Sequence, residues 1–241
     1  MREAITLALR RQRATAAVAA VLGLLWGVLA GWTARTGGPA ALLTLLPVLA
    51  LAWSLLPIFG RPSTTELRVD ERDRAFFVPP RRRPSFRCVI LGFLAYQIVY
   101  HPVAARDEFW WVYPSIAGPL AVVMAVALWR RVPEVALTPA GITAGDPLRH
   151  VHVPWEALDP AAPVRPPRAG SLQLPVRSPG LVRRGGIIRR RQVGVENWDL
   201  DVAPGLLAAA VTHYVAHPEH RAAIGTPEEY ARLRRVLGGG G

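Results

Sequence analysis

Three histidines near the C-terminus come closest, by residue type and spacing, to a metal site. His213 and His217 are four positions apart, so they share one face of a helix, and His220 follows three positions later. Pro218 ends that helix before His220 can continue the face, and no carboxylate or cysteine lies at ligand spacing on the other side. We therefore expect histidines at a helix end, close to the negative pole of its dipole, with no metal or other cofactor.

Two further polar pairs invite a functional interpretation. His150 and His152 alternate onto one face of a predicted strand, but no third ligand can be named for them. Gln97 and His101 lie four apart in a predicted membrane span, where polar side chains are a functional hypothesis by default. Because His101 is followed by Pro102 and the end of the span, we expect a structural role for this pair.

Catalytic motifs are missing from the sequence. It contains no nucleophile elbow, no phosphate-binding glycine loop in a strand-to-helix context and no HExxH motif. Paired carboxylates in a recognisable site are also lacking. The sequence therefore predicts a protein that is not an enzyme.

Clusters of arginine are the most distinctive binding feature. All 29 basic residues are arginine, and the net charge is +12. We expect contact with the anionic headgroups of the inner leaflet, because most of these charges border hydrophobic segments. Nucleic acid is the rival partner, but the aromatic residues needed for base stacking are not interleaved, so we expect none. The predicted lipid contacts are Arg81, Arg82, Arg83, Arg130, Arg131, Arg183, Arg184, Arg189, Arg190 and Arg191.

Hydrophobic runs occupy the first 130 of the 241 residues. At about 1.5 Å per residue, roughly 20 apolar residues cross the hydrocarbon core of a bilayer. The sequence predicts an α-helical bundle of four spans at residues 14–34, 36–60, 88–105 and 109–129. Aromatic side chains at the membrane interfaces mark the last span: Trp110, Trp111 and Tyr113 at its start and Trp129 at its end.

Arginine counts predict the orientation of these spans. Fourteen arginines border the spans in residues 1–13, 61–87 and 130–131, whereas the opposite turns hold only Arg35 and Arg106. The positive-inside rule then places both termini in the cytoplasm of a bacterial plasma membrane. Val28-Leu29-Ala30 resembles a signal-peptide cleavage site, but the long apolar run and the second run after it favour a retained span.

The segment between the two pairs of spans, residues 61–87, is polar and rich in arginine. Leu67–Val69 and Ala75–Val78 have the pattern of two short strands around an acidic turn. A solvated loop explains the same residues, and the sequence does not decide between the two.

The C-terminal part, residues 132–220, changes to a pattern of strands followed by a helix. EVALTPAGITAG predicts two strands around a turn, and LRHVHV predicts a third that ends at Pro154, with Trp155 as a core residue. Residues 171–202 predict several further short strands. PGLLAAAVTHYVAH predicts a helix that buries Leu207, Ala210, Val211 and Tyr214. Residues 221–241 predict a second short helix, with Thr226 as N-cap and Glu229 at capping-box spacing, and a glycine tail.

EVALTPAGITAG, then HVHVPWEAL, several strands and a closing helix resemble the bacterial pleckstrin-homology-like (PH-like) domains. The resemblance covers roughly residues 133–217, and Pro154-Trp155-Glu156 is its most specific part. Such domains are often attached to membrane spans in actinobacterial proteins. The resemblance implies an α+β domain, a bent antiparallel β-barrel with one end closed by the helix.

Together these patterns predict a membrane scaffold or binding module whose PH-like domain lies at the inner leaflet. An accessory subunit of a transport or envelope assembly is the alternative, because small residues in the first two spans allow close packing against a membrane protein partner. A small membrane enzyme that uses its histidines is the third hypothesis.

Overall fold

The structure is a computed structural model. It describes residues 2–36, 46–50, 52–53, 66–78, 86–105, 108–146, 148–162, 164, 171–186, 194–196 and 202–238. The chain divides into two compact units. The helical unit comprises Leu7–Gly60 and Arg83–Arg131, and the sheet domain comprises Met1–Thr6, Arg61–Arg82 and Val132–Gly241.

Three long apolar helices form the described core of the helical unit. They are α1 (Arg2–Thr36), α2 (Phe86–Ala104) and α3 (Val112–Arg130). Each contains a segment long and apolar enough to cross a membrane. The first, third and fourth predicted spans correspond to these helices, although α1 starts before residue 14 and includes the basic N-terminal residues. Most of the second predicted span, residues 36–60, lies outside the described residues, of which 46–50 and 52–53 are helical.

Glycines let α1 and α2 pack closely in parallel. Gly23, Gly27 and Gly31 recur every four residues on one face of α1. A Cβ atom at Gly23 would overlap the carbonyl oxygen of Gly92, and one at Gly27 would lie 2.8 Å from that of Tyr96. The contacts advance along both helices in the same direction, so α1 and α2 are parallel. This is the small-xxx-small arrangement by which membrane helices approach each other.

In the described part of the other unit, eight strands form two sheets. They are β1 (Arg68–Asp70), β2 (Ala75–Val78), β3 (Glu134–Thr138), β4 (Gly141–Asp146), β5 (Arg149–Pro154), β6 (Ser171–Gln173), β7 (Arg183–Gly186) and β8 (Gly194–Glu196). β1, β2, β3, β4, β5 and β7 make one antiparallel sheet in that order, and β6 pairs separately with β8. The hairpin proposed for residues 67–78 therefore forms, and its second strand joins the main sheet.

The pairing of β2 with β3 joins two distant parts of the chain. Phe76 lies opposite Leu137, and Val78 lies opposite Val135. The segment between these two strands contains both α2 and α3. The helical pair is thus an insertion between neighbouring strands of one sheet.

The expected closed β-barrel is wrong. Among the described residues, β1 and β7 are the two edges of the main sheet and do not pair with each other. β6 and β8 form a separate two-stranded sheet and extend neither edge. β1 and β7 are also short, with three and four residues, so they offer few backbone hydrogen bonds for closing the sheet.

Two helices cover one face of the sheet and complete its core. α4 (Pro204–Ala216) and α5 (Pro227–Gly238) are joined by a 3₁₀ segment at Pro218–Ala223. The predicted inward face of α4 is confirmed, since all four of its predicted residues are buried. Trp155 is also buried, and its indole nitrogen donates to the carbonyl oxygen of Thr138 over 2.9 Å. Ile224 and Leu233 belong to the same core, which therefore extends past residue 220.

Candidate functional site

One end of the helical unit combines basic groups with the C-terminus of α3. Gln12 of α1 donates to the carbonyl oxygens of Leu128 and Arg131 over 2.6 and 2.7 Å. Arg13 donates to the carbonyl oxygen of Trp129 over 3.0 Å, and its guanidinium lies 5.1 Å from the centre of that indole ring. The last carbonyls of a helix lack partners within the helix, and its C-terminus attracts cations. α1 therefore caps α3 at this end.

The predicted arginines of α3 and three of the four predicted aromatic anchors lie at opposite ends of this helix. Arg130 and Arg131 are exposed at its C-terminal end. Trp110, Trp111 and Tyr113 are exposed at its N-terminal end, where the Tyr113 ring stacks on His101 at 3.8 Å between centroids. His101 thus has an aromatic neighbour where α2 and α3 meet, and the structural role expected for it stays a prediction. Trp129, the fourth predicted anchor, is exposed beside the arginines.

The remaining predicted lipid contacts belong to the sheet domain and its borders. Arg183 and Arg184 are exposed on β7, an edge of the main sheet. Arg81, Arg82, Arg83, Arg189, Arg190 and Arg191 lie outside the described residues. None of these arginines is brought into a shared pocket with the others in the part of the chain that the structure describes.

A buried carboxylate joins α4 to α5. Glu229 is only 5% exposed and accepts hydrogen bonds from Arg232 over 2.6 and 2.7 Å and from the Tyr214 hydroxyl over 2.9 Å. Burial by itself would raise the pKa of Glu229, but the bonds from Arg232 and Tyr214 outweigh it and lower the pKa. Burial, and then the bond to Glu229, raises the pKa of Tyr214. At neutral pH this is a satisfied ion pair with a neutral tyrosine.

The capping box expected at α5 forms only in part. The backbone N–H of Glu229 donates to the Thr226 hydroxyl over 3.2 Å, as the pattern predicts. The Glu229 side chain binds Arg232 and Tyr214, so it does not return to the N-cap. Satisfying the buried tyrosine and the half-buried arginine outweighs one more backbone bond at the helix start.

Arg232 extends this arrangement to two of the three histidines. It donates to Nε2 of His220 over 2.7 Å, and Nδ1 of His220 lies 3.3 Å from Nε2 of His213. A guanidinium can only donate hydrogen bonds, so Nε2 of His220 is the acceptor. Neutral His220 therefore carries its proton on Nδ1 and donates a hydrogen bond from there to Nε2 of His213. We call Tyr214, Glu229, Arg232, His220 and His213 the polar cluster.

The 3₁₀ segment explains why His220 returns to the helix. The expectation that Pro218 ends α4 is confirmed, but the tight turn that follows brings the His220 ring within 5.3 Å of the His213 ring, nearly parallel to it. Burial lowers the pKa of His213 most, and the positive charges of the His217 and Arg232 side chains lower it further. The spacing of the three histidines was the only feature of the sequence that pointed to this contact. No sequence pattern pointed to the part that Arg232 plays in it.

A metal centre fits this geometry poorly. His217, Glu219 and His220 each offer one ligand atom, and these atoms lie within 4.8 Å of one another. The Nε2 atom of His220 already accepts the bond from Arg232, however, so a metal there would have to displace a guanidinium held by Glu229. His213 and His220 also face each other with nearly parallel rings, whereas ligands of one tetrahedral ion are splayed around it.

The other histidine pair is explained by the sheet. His150 and His152 share a face of β5, while Val151 and Val153 are buried on the other face, as the alternation predicts. Nδ1 of His152 lies 3.0 Å from the Thr143 hydroxyl on β4. Burial, and then the charge of Arg183, lowers the pKa of His152.

An open groove runs beside the polar cluster along α4. Its volume is about 540 Å³, and its walls are mostly small and apolar. His213 and His217 are its titratable lining residues. His213 thus borders an apolar surface, so protonation of its ring would put a positive charge beside that surface.

No protein-family model, curated protein or solved structure matches this chain.

Proposed function

We propose that this chain is a four-span membrane protein without catalytic activity. Its sheet domain is a PH-like module that acts as a scaffold or binding module at the inner leaflet. The order of a strand–turn–strand unit, a third strand that ends at Pro154-Trp155 and a later covering helix supports the resemblance. In this proposal the module is an open sheet, extended by the β1–β2 hairpin.

The observation that carries the proposal is the pairing of β2 with β3. These strands belong to one sheet, so residues 75–78 and 134–138 lie on the same side of the membrane. The chain between them must therefore cross the bilayer an even number of times. α2 and α3, two apolar helices joined by a short turn, supply those two crossings.

The parallel packing of α1 and α2 supports a further crossing. Both helices run in the same direction, since Gly23 meets Gly92 and Gly31 meets Val103. The chain from the end of α1 must return to the side on which α2 begins. The apolar run at residues 36–60 is the segment long enough for that return.

Charge supports a cytoplasmic location for the sheet domain. Arg13, Arg130 and Arg131 lie at the end of the helical unit where α3 leads into β3. Positive charge at span ends favours the cytoplasmic side. Three residues separate Arg130 from Glu134, so their Cα atoms lie at most about 15 Å apart. A tether this short keeps the start of β3 near the headgroups.

Hydrogen exchange in nanodiscs tests the binding role. The full chain is placed in phosphatidylcholine alone or mixed with phosphatidylglycerol, and exchange is followed in peptides containing Arg183 and Arg184. We expect slower exchange with the anionic lipid, because each arginine near the surface contributes about 1 kcal/mol. Added salt should remove the difference.

Two variants separate lipid contact from general folding. Arg183→Gln with Arg184→Gln should abolish the difference between the two membranes. Arg235→Gln, at an exposed position of α5, should leave it intact. Equal exchange of the wild-type peptides in both membranes would contradict the inner-leaflet role.

A further inference from the structure

The polar cluster links α4 to α5 through two histidine side chains and one arginine. His213 lies on α4, Glu229 and Arg232 lie on α5, and His220 lies on the 3₁₀ segment between the helices. Arg232 donates to His220, and His220 in turn donates to His213. Both acceptor nitrogens must be free of protons for this sequence of bonds to exist.

A proton on either acceptor reverses its interaction. Protonated Nε2 of His220 would face the Arg232 guanidinium, donor against donor, at 2.7 Å. Protonated Nε2 of His213 would face both the Nδ1 proton of His220 and a second Arg232 nitrogen 3.4 Å away. Like charges at this separation oppose the packing of α5 on α4.

The other groups around the two rings do not cancel this repulsion. The titratable and charged groups that face them are His217, Glu219, Glu229, Arg232 and Tyr214. Glu229 is already paired with Arg232, and Tyr214 is neutral. Glu219 is the compensating charge, at 3.7 Å from His220, but it is largely exposed and also serves His217 at 3.2 Å.

α5 and the residues just before it also contact the β1–β2 hairpin, which precedes α2 in the chain. The Tyr230 hydroxyl accepts a hydrogen bond from the N–H of Leu67 over 3.0 Å, and its ring packs on Phe76 at 5.5 Å. Gly225, with a φ of +95°, leads into α5 and lies against the backbone of Arg74 and Ala75, where no side chain would fit. Loosening α5 therefore removes contacts from the β1–β2 hairpin.

We propose that the polar cluster is an acid-sensitive latch: uptake of a proton by the His213–His220 pair releases α5 from α4 and removes the contacts that α5 makes with the β1–β2 hairpin. This regulates packing within the sheet domain, and it does not depend on which ligand the domain binds.

The direction of the pH effect follows from the pKa of His213. Burial keeps this pKa below the ordinary histidine value of about 6.5, so the open form binds more protons than the closed form as the pH falls below that value. The closed latch is fully stable above that range and loses stability on acidification. Glu229, with a lowered pKa, stays ionised throughout and does not contribute between pH 7.5 and 5.5.

Hydrogen exchange of the full chain in nanodiscs tests the latch, after correction for the intrinsic pH dependence of exchange. We expect the opening of α5 amides to increase about fivefold from pH 7.5 to 5.5, within the limit of about tenfold per pH unit for one proton. Amides of residues 66–78 should follow in the same direction. Unchanged opening of α5 over this range would overturn the proposal.

Histidine variants test whether the pH response of α5 comes from His213 and His220. His213→Gln with His220→Gln should abolish the pH response of α5, because glutamine donates and accepts without titrating. His220→Gln alone should weaken the pH response of α5. Because His220 is less buried than His213, this single variant also serves as the test if the double variant fails to fold. His152→Gln is the matched control, since His152 also has a lowered pKa but bonds to Thr143 on the sheet. A full response in the double variant would overturn the latch.

Discussion

The two units of this protein differ in where their large apolar side chains lie. In the sheet domain the largest fully buried side chains include Trp155, Tyr214 and Phe76. In the helical unit many buried positions are alanine or glycine, whereas large apolar side chains such as Leu25 and Val122 are exposed. Among the described residues, only Leu181 and Val236 of the sheet domain are large, apolar and exposed.

This contrast is the one expected between a domain in water and helices in a membrane. Water drives large apolar side chains into a core, so the sheet domain has the distribution of a water-exposed fold. Lipid tails exert no such force between helices, so membrane helices associate through small residues and turn large apolar ones outward. The helical unit has this second distribution.

The largest expected effect comes from one substitution made in both units. Leu120 near the centre of α3 and Val236 on α5 are equally exposed, at 52% and 51%. Leu120→Asp should destabilise membrane insertion by about 2.5–3.5 kcal/mol, the cost of aspartate at the centre of a membrane helix. Val236→Asp should change stability by less than about 0.5 kcal/mol.

The measurement is the fraction of protein that stays in the membrane pellet after carbonate extraction. We expect a clear loss for Leu120→Asp and none for Val236→Asp. If both variants remained in the pellet like the wild type, the exposed face of α3 would not be in contact with lipid.

A smaller effect is expected where α1 meets α2. Gly23→Ala places a methyl group against the backbone of Gly92 and should destabilise the helical unit by about 1–3 kcal/mol. Gly118→Ala on α3 is the control, since no atom lies within 4 Å of the position its Cβ would take. Thermal unfolding in mild detergent should separate the two variants, and equal midpoints would argue against the parallel α1–α2 contact.

Local patterns in the sequence predicted individual elements well. The uncharged run at residues 109–129 and the alternation of β5 each depend on near neighbours, and both match the structure. The buried face of α4 and the core position of Trp155 follow from the same periodicity. Such features are visible because they repeat within one element.

Contacts between distant segments could not be predicted in this way. Nothing local in Ala75–Val78 indicates that β2 pairs with β3 across two inserted helices, or that the sheet stays open. The glycines of α1 were recognised as small, but not as the surface that packs on α2. Glu229 fitted a capping pattern, and only the approach of α4 gives it Tyr214 as a partner.

Accessibility of single cysteines tests the central claim, that α2 and α3 cross the membrane as an insertion into a sheet on one side of it. In a Cys88→Ala background, cysteine is introduced singly in place of Glu71 on the β1–β2 turn, Leu181 before β7, or Glu108 between α2 and α3, all of which are exposed. An impermeant maleimide is then applied to intact and to ruptured cells.

We predict that the Glu71→Cys and Leu181→Cys variants are labelled together, only after rupture, and that Glu108→Cys is labelled in intact cells. Labelling of Glu71→Cys and Leu181→Cys from opposite sides, or of Glu108→Cys from the same side as those two, would contradict the account.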